Sequence, residues 1–311
     1  MFIKKTSAYD SIIENPVDNL YPTPINSFKQ PCLHLIVGQR TSGKSYLASR
    51  ILAQAKADQT FDRIYIVTPS FNSNKSYFGK YIDEKDVYEP TKDSISNVIE
   101  QVEQDRDAWQ LYLKKMKDYK KFKSVIHDKR IHISDEDILT YMDHGFFENK
   151  QKPTWKYKKI EPPKSLLILD DVLGSPAILQ SSGLTRISTL NRHLAALDEN
   201  YLGRSACGLA VMILTQTYKS QNGISRVLRE NVSLLTLFKN KQEKQLEAIK
   251  EELANVVDIT CFDEAYEAAT SEKHGSLTID FSPKTPCKTF RRNLNEFIVF
   301  DKLGGCNCKL N

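Results

Sequence analysis

Short unbroken runs of aliphatic residues alternate along the chain with longer stretches in which apolar positions recur every three or four residues. The unbroken runs are Leu33-His34-Leu35-Ile36-Val37, Ile64-Tyr65-Ile66-Val67, Leu166-Leu167-Ile168-Leu169, Leu209 to Thr215 and Val232 to Phe238, and their length and content predict strands. Between the first two, Ser45 to Ala57 places Leu47, Ile51 and Leu52 on one side of a helix. Strands that are apolar on both faces need cover on both faces, so the expected class is α/β, a mainly parallel central sheet flanked by helices.

Two segments depart from this pattern. The first thirty residues carry Pro16, Pro22 and Pro24, end against Pro31 and lack apolar periodicity, which predicts an extended arm. From about residue 91 to 164 the chain is charged and lysine-rich; Trp109, Leu111, Leu113 and Met116 give a patchy stripe to one long helix, so a charged helical insertion is expected. The division is then an arm over 1–30, a core over 31–260 holding the insertion at about 91–164, and a carboxyl-terminal extension over 261–311.

With 311 residues, 40% of them hydrophobic and 27% charged, the chain can bury a sizeable core without a covalent staple. Its longest apolar run, Ala206 to Leu214, is too short to span a bilayer, and the start Met1-Phe2-Ile3-Lys4-Lys5 turns polar before reaching signal-peptide length. No membrane span and a cytosol-like compartment are expected. Cys32, Cys207, Cys261 and Cys287 are scattered without metal-ligand spacing and read as reduced thiols, while Cys306 and Cys308 would need two further ligands to hold zinc. The net charge of +5 is compatible with a polyanionic partner.

Gly38-Gln39-Arg40-Thr41-Ser42-Gly43-Lys44-Ser45 fits Gly-x-x-x-x-Gly-Lys-Ser/Thr at every fixed position and lies between a predicted strand and a predicted helix. That order suits phosphate, because successive backbone N–H groups and the positive end of the helix wrap it. The expected ATP-binding residues are therefore Gly38, Gln39, Arg40, Thr41, Ser42, Gly43, Lys44, Ser45 and Tyr46. Lys44 would reach the outer phosphates, the Ser45 hydroxyl would ligate Mg2+, and Arg40 is a candidate for sensing the γ-phosphate from the same subunit. A second element, Leu166 to Asp171, is a buried strand ending on two acids: Asp170 would bind Mg2+ through water, and Asp171 could polarise the attacking water as a general base. In a third, the strand reaching Gln216 presents an amide that could bond both the γ-phosphate and that water. Within Arg226-Val227-Leu228-Arg229-Glu230-Asn231, an arginine at the end of a short helix is expected to project and act across a subunit boundary. Arg229 is the candidate and Arg226 the alternative.

With these elements the sequence resembles the FtsK/HerA superfamily of P-loop NTPases, and within it the poxvirus-type DNA-packaging ATPases of nucleocytoplasmic large DNA viruses. The resemblance rests on Gly38 to Ser45, Leu166 to Asp171, Asn191-Arg192-His193, Ile213-Leu214-Thr215-Gln216-Thr217-Tyr218 and Arg229-Glu230-Asn231. These lie between Leu33 and Phe238, roughly two thirds of the chain. The resemblance implies a RecA/FtsK-like fold and Mg2+-dependent ATP hydrolysis at the boundaries of a ring of roughly five or six identical subunits. It also implies double-stranded DNA threaded through the pore, capsid or portal-vertex proteins as partners, and a place in the host cytoplasm, at the viral factory, and in the virion. Asp171 stands where many relatives carry glutamate, and the poxvirus-type branch favours paired aspartates.

A motor that grips DNA without reading bases needs lysines and arginines on its surface. The stretch Asn200 to Ser205, lysines 114, 115, 117, 120, 121 and 123, and Trp155-Lys156-Tyr157-Lys158-Lys159 are candidates, although a solvated face accounts for any one of them. A nucleotide kinase would share the phosphate loop but has no need of the Gln216 strand. Asn240-Lys241-Gln242-Glu243 superficially resembles the guanine-binding Asn-Lys-x-Asp, but the extra methylene of Glu243 would displace its carboxylate. The competing classes are a cellular FtsK/HerA translocase or helicase and a nucleotide-binding assembly protein with little turnover.

Overall fold

The computed structural model describes residues 2–5, 30–127, 133–148, 151–219, 224–240, 242–254, 257, 259–282 and 288–300. Most of the amino-terminal arm, together with Cys287, Cys306 and Cys308, lies outside the described residues. The chain begins with β1 (Phe2–Lys5), β2 (Leu33–Val37) and α1 (Lys44–Ala57). Then come β3 (Arg63–Val67), α2 (Phe71–Phe78), β4 (Val87–Tyr88), the long α3 (Ser94–His127) and α4 (Asp135–Asp143). β5 (Ser165–Asp170), α5 (Pro176–Leu179) and α6 (Ser182–Leu190) lead to a hairpin of β6 (Ala196–Tyr201) and β7 (Arg204–Ala206), then β8 (Leu209–Thr215). α7 (Arg226–Glu230), β9 (Leu234–Phe238), α8 (Glu243–Leu253), α9 (Ile259–Thr270), β10 (Ser276–Asp280), β11 (Phe290–Arg292) and β12 (Glu296–Val299) complete it.

One 10-stranded sheet runs in the order β1-β12-β11-β10-β9-β2-β8-β5-β3-β4. From β9 to β4 every neighbouring pair is parallel, and from β9 outward to β1 every pair is antiparallel. The chain is thus α/β, with a parallel half flanked by helices. The side-chain period of two sends alternate residues of β2 to opposite faces. Ile36 meets Leu47, Ala48 and Leu52 of α1 on one face, while Leu33, Leu35 and Val37 belong to the core beneath α3, α6 and α9 on the other.

The carboxyl-terminal segment, expected as an extension beyond the core, supplies β10, β11 and β12 to the sheet and buries Phe262, Ala265, Leu277, Ile279, Phe290 and Ile298 in the main core. Phe2–Lys5, within the expected arm, pairs with β12 as the edge strand. The expected insertion also divides. Ile95, Val98, Ile99 and Val102 at the start of α3 are part of the main core, whereas Tyr119 and Phe122 at its far end pack with Tyr141 and Phe146 in a separate cluster under α4. Lysines crowd the outer surface of the far half and hide in sequence that the near half is an ordinary crossover helix. Cys32, Cys207 and Cys261 are buried, and burial pushes the Cys32 and Cys207 thiols up to about 12. No helix among the described residues is long and apolar enough to cross a membrane.

Candidate nucleotide-binding site

The strand order decides what meets at the carboxyl edge of the parallel half. β8 lies between β2 and β5, with Val37 opposite Thr215 and Leu214 opposite Asp170. The Gly38 N–H donates to the Thr215 carbonyl at 3.0 Å and the Asp171 N–H to the Leu214 carbonyl at 3.2 Å. The phosphate loop, the two aspartates and Gln216 therefore leave the sheet side by side, which is where open α/β sheets collect ligands.

The loop's glycines answer to space and backbone conformation. A Cβ at Gly38 would stand 2.4 Å from Ser42 Oγ, so any larger residue would push into the loop. Gly43 has φ 114, a value L-residues avoid, and directly precedes α1. The Lys44 ammonium folds back across the loop and donates to the Gly38 carbonyl at 2.7 Å and the Gln39 carbonyl at 3.3 Å. Burial pushes its pKa down, while the charges of Asp171 and Asp170 push it up. Ser42 Oγ is buried with no hydrogen-bond partner among the described residues, an orphaned polar atom within the phosphate loop. Arg40 and Tyr46 are exposed at the loop's rim.

Asp170 is buried and accepts from Asn74 Nδ2 at 2.9 Å and Thr68 Oγ1 at 3.3 Å. Burial and then the neighbouring Asp171 raise its pKa; the bonds from Asn74 and Thr68 and the Lys44 charge oppose the rise. Asp171 is exposed with φ 52, which turns its carboxylate out of the strand line, and its Oδ2 accepts from Gln216 Nε2 at 3.4 Å. Ser45 and Asp170 offer the oxygen donors that Mg2+ takes, and no cluster of three or more His, Cys, Asp or Glu suited to a metal occurs among the described residues.

The expectation that Arg229 projects from the body needs correction. Its side chain is only 9% exposed: Nε donates to Glu252 Oε2 at 2.8 Å, Nη2 to Glu252 Oε1 at 2.9 Å, and Nη1 to the Ile224 carbonyl. The guanidinium lies over the Tyr218 ring, and the Tyr218 hydroxyl donates to the same carboxylate at 3.0 Å. Glu252 is held below the usual carboxylate range because, against burial, the bonds from Arg229 and Tyr218 prevail. Arg226, by contrast, is 83% exposed and pairs with Glu230 at 2.6 Å.

Thr68, Asn74 and His274 belong to the site and went unnoticed in the sequence. His274, in the turn after α9, places Nδ1 3.0 Å from the Ser42 carbonyl and so braces the phosphate loop. Among the candidate DNA contacts, Arg204 turns inward and donates to the carbonyls of Pro162, Pro163 and Cys207. Lys121 pairs with Asp137, Lys156 bonds Asp105, and Lys159 caps the carbonyls of Asp58 and Gln59. Lys114, Lys117, Lys120, Lys123 and Lys158 are exposed.

No protein-family model matches the sequence, and no curated protein does. Among solved structures the chain is similar to the genome packaging NTPase B204 from Sulfolobus turreted icosahedral virus 2 in complex with AMPPCP, at 14% identity and a TM-score of 0.43 over 84% of this chain and 96% of that one. It is similar to B204, the DNA-packaging ATPase from Sulfolobus Turreted Icosahedral Virus, at 11% identity and a TM-score of 0.41 over 84% and 96%. The pCW3 conjugation coupling protein TcpA with ATPγS matches at 17% identity and a TM-score of 0.37 over 78% and 62%. At these identities and scores the functional reading rests on the chain's own residues.

Proposed function

We propose that the chain is an ATP-hydrolysing motor that moves double-stranded DNA into a viral capsid. The observation that carries this reading is the convergence of Lys44, Asp170, Asp171 and Gln216 on one edge of the parallel strands. Asp171 takes a proton from water, whose oxygen attacks the γ-phosphorus while the bond to the β–γ bridging oxygen breaks, giving ADP and phosphate. Gln216, hydrogen-bonded to Asp171, orients that water. Lys44 leaves the carbonyls of Gly38 and Gln39 for the phosphates, and the orphaned Ser42 hydroxyl gains an anionic partner. Mg2+, held by Ser45 and Asp170, would neutralise phosphate charge.

The step from ATPase to DNA motor is supported by the order of the sequence elements, with Asn191-Arg192-His193 and Arg229-Glu230-Asn231 following the two nucleotide motifs. In this reading the subunits form a ring of roughly five or six, assembled in the host cytoplasm against capsid or portal-vertex proteins. The exposed Arg226 reaches the neighbouring subunit's nucleotide. Lys114, Lys117, Lys120 and Lys123 are exposed lysines of α3 available to DNA phosphates. The test is displacement of a third strand from a triplex-bearing duplex: ATP-dependent release supports the motor. ATP turnover without release would favour the nucleotide-binding assembly protein.

A further inference from the structure

We propose that the nucleoside half of the nucleotide lies in a groove built jointly by α1 and the antiparallel strands, with its base stacked on Tyr46. This rests on reading Gly38 to Ser45 as a triphosphate loop. A cavity of about 880 Å³ opens beside Gly43, lined by Tyr46, Arg50 and Ala53 of α1 and by Lys273, His274 and Asn293 from the turns around β10 and β11. Sites for small ligands run from roughly 300 to 1,000 Å³.

Direction along the sheet selects this cavity. Asp170, Asp171 and Gln216 stand on the β8 and β5 side of the loop, and β9 and β10 stand on the other. A triphosphate whose outer end meets Lys44 and the acids must run back across the loop and leave on the β9 side. Phe238 of β9 and Ser276 of β10 both line the cavity there.

Tyr46 follows Ser45 directly and is 57% exposed. A lone exposed aromatic is ordinary. Here, however, its ring borders a cavity whose opposite wall is fixed to the phosphate loop. His274 is 3.0 Å from the Ser42 carbonyl and holds φ 66, and a Cβ at Gly43 would stand 3.5 Å from its Cβ. The Asn293 amide oxygen accepts from the Ser276 N–H at 3.2 Å, tying the second turn to β10. An aromatic face, two cations in Arg50 and Lys273, and an amide suit a base and a ribose. A bare anion would need no aromatic wall. The strands beyond β9 thus gain a purpose: they carry the turns that close the nucleoside groove.

Calorimetric titration of the full chain with ATP and, separately, with inorganic tripolyphosphate tests this. Tyr46→Ala and the cavity-filling Ala53→Trp, both at exposed positions of α1, should each weaken ATP binding by about tenfold and leave tripolyphosphate within about twofold; Tyr46→Phe should keep both. Unchanged ATP affinity in Tyr46→Ala and Ala53→Trp would overturn the inference, as would parallel loss of both ligands. Lys44→Ala, which should lose both ligands, separates the two readings. If it loses neither, the loop is not a triphosphate site, and the groove falls with it.

Discussion

Gln216 Nε2 donates to Asp171 Oδ2 at 3.4 Å, a contact between the ends of two neighbouring strands at the edge where the phosphate loop also begins. An amide that orients the attacking water against its base contributes mostly in the transition state. Gln216→Ala should therefore lower single-turnover hydrolysis about 10²-fold while ATP affinity changes less than about threefold. Equal loss of binding and turnover would instead make Gln216 a part of the phosphate cradle.

Arg229 and Arg226 should separate cleanly. Removing Arg229 leaves the half-buried Glu252 without its bidentate partner, so Arg229→Ala should lower stability by about 1–3 kcal/mol in denaturant unfolding. Arg226→Ala, at an exposed i,i+4 pair, should stay within about 0.5 kcal/mol. In the proposed ring, Arg226→Ala should lower turnover, and mixing with Asp171→Asn subunits should restore part of it. Absence of rescue at every mixing ratio would exclude Arg226 as the residue acting across the boundary.

The division of α3 is open to test. A Cβ on Gly183 of α6 would meet Ile95 Cβ at 2.8 Å and the Ser96 backbone N at 2.9 Å, so Gly183→Ala should destabilise by about 1–3 kcal/mol as helix packing yields. Lys117→Ala, on the outer half of the same helix, should fall within about 0.5 kcal/mol. Thermal unfolding of the two variants compares them directly.

Buried in β2, His34 bonds Thr236 Oγ1 at 2.8 Å, and burial lowers its pKa from 6.5 to about 3. As pH falls below 6.5 the unfolded chain takes up this proton before the folded one does. Stability from the neutral ring is therefore whole above that pH and is lost toward pH 3, with a slope approaching about 1.4 kcal/mol per pH unit. His34→Gln should flatten the fall in urea midpoint between pH 7 and pH 5 relative to wild type.

Five strands of the parallel half, β2, β3, β5, β8 and β9, were legible because burial on both faces leaves an unbroken aliphatic signature, as in Leu209 to Thr215; only their ends moved, with β9 starting at Leu234 rather than Val232, whereas the two-residue, partly buried β4 left no such run. β11 and β12 were not. They are three and four residues long and carry charge inside, where Arg291 of β11 pairs with Asp280 at 3.2 Å and both are almost fully buried. A buried ion pair erases the hydrophobic alternation by which a strand is recognised. The phosphate loop and the paired acids could be read because local backbone chemistry fixes them. Thr68 and Asn74 could not, since they reach Asp170 across separations of 102 and 96 residues. Arg229 misled for the same reason: its partner Glu252 lies 23 residues on, in another helix.

In the proposed mechanism Lys44 and Asp171 serve one nucleotide in two different ways. ATP hydrolysis and ATP binding should be measured side by side, with and without duplex DNA, in the wild-type chain, Lys44→Ala and Asp171→Asn. Lys44→Ala should lose both binding and turnover; Asp171→Asn should bind ATP within about threefold of wild type yet turn over at least about 10²-fold more slowly. Wild-type turnover in either variant would rule out this division of roles between Lys44 and Asp171.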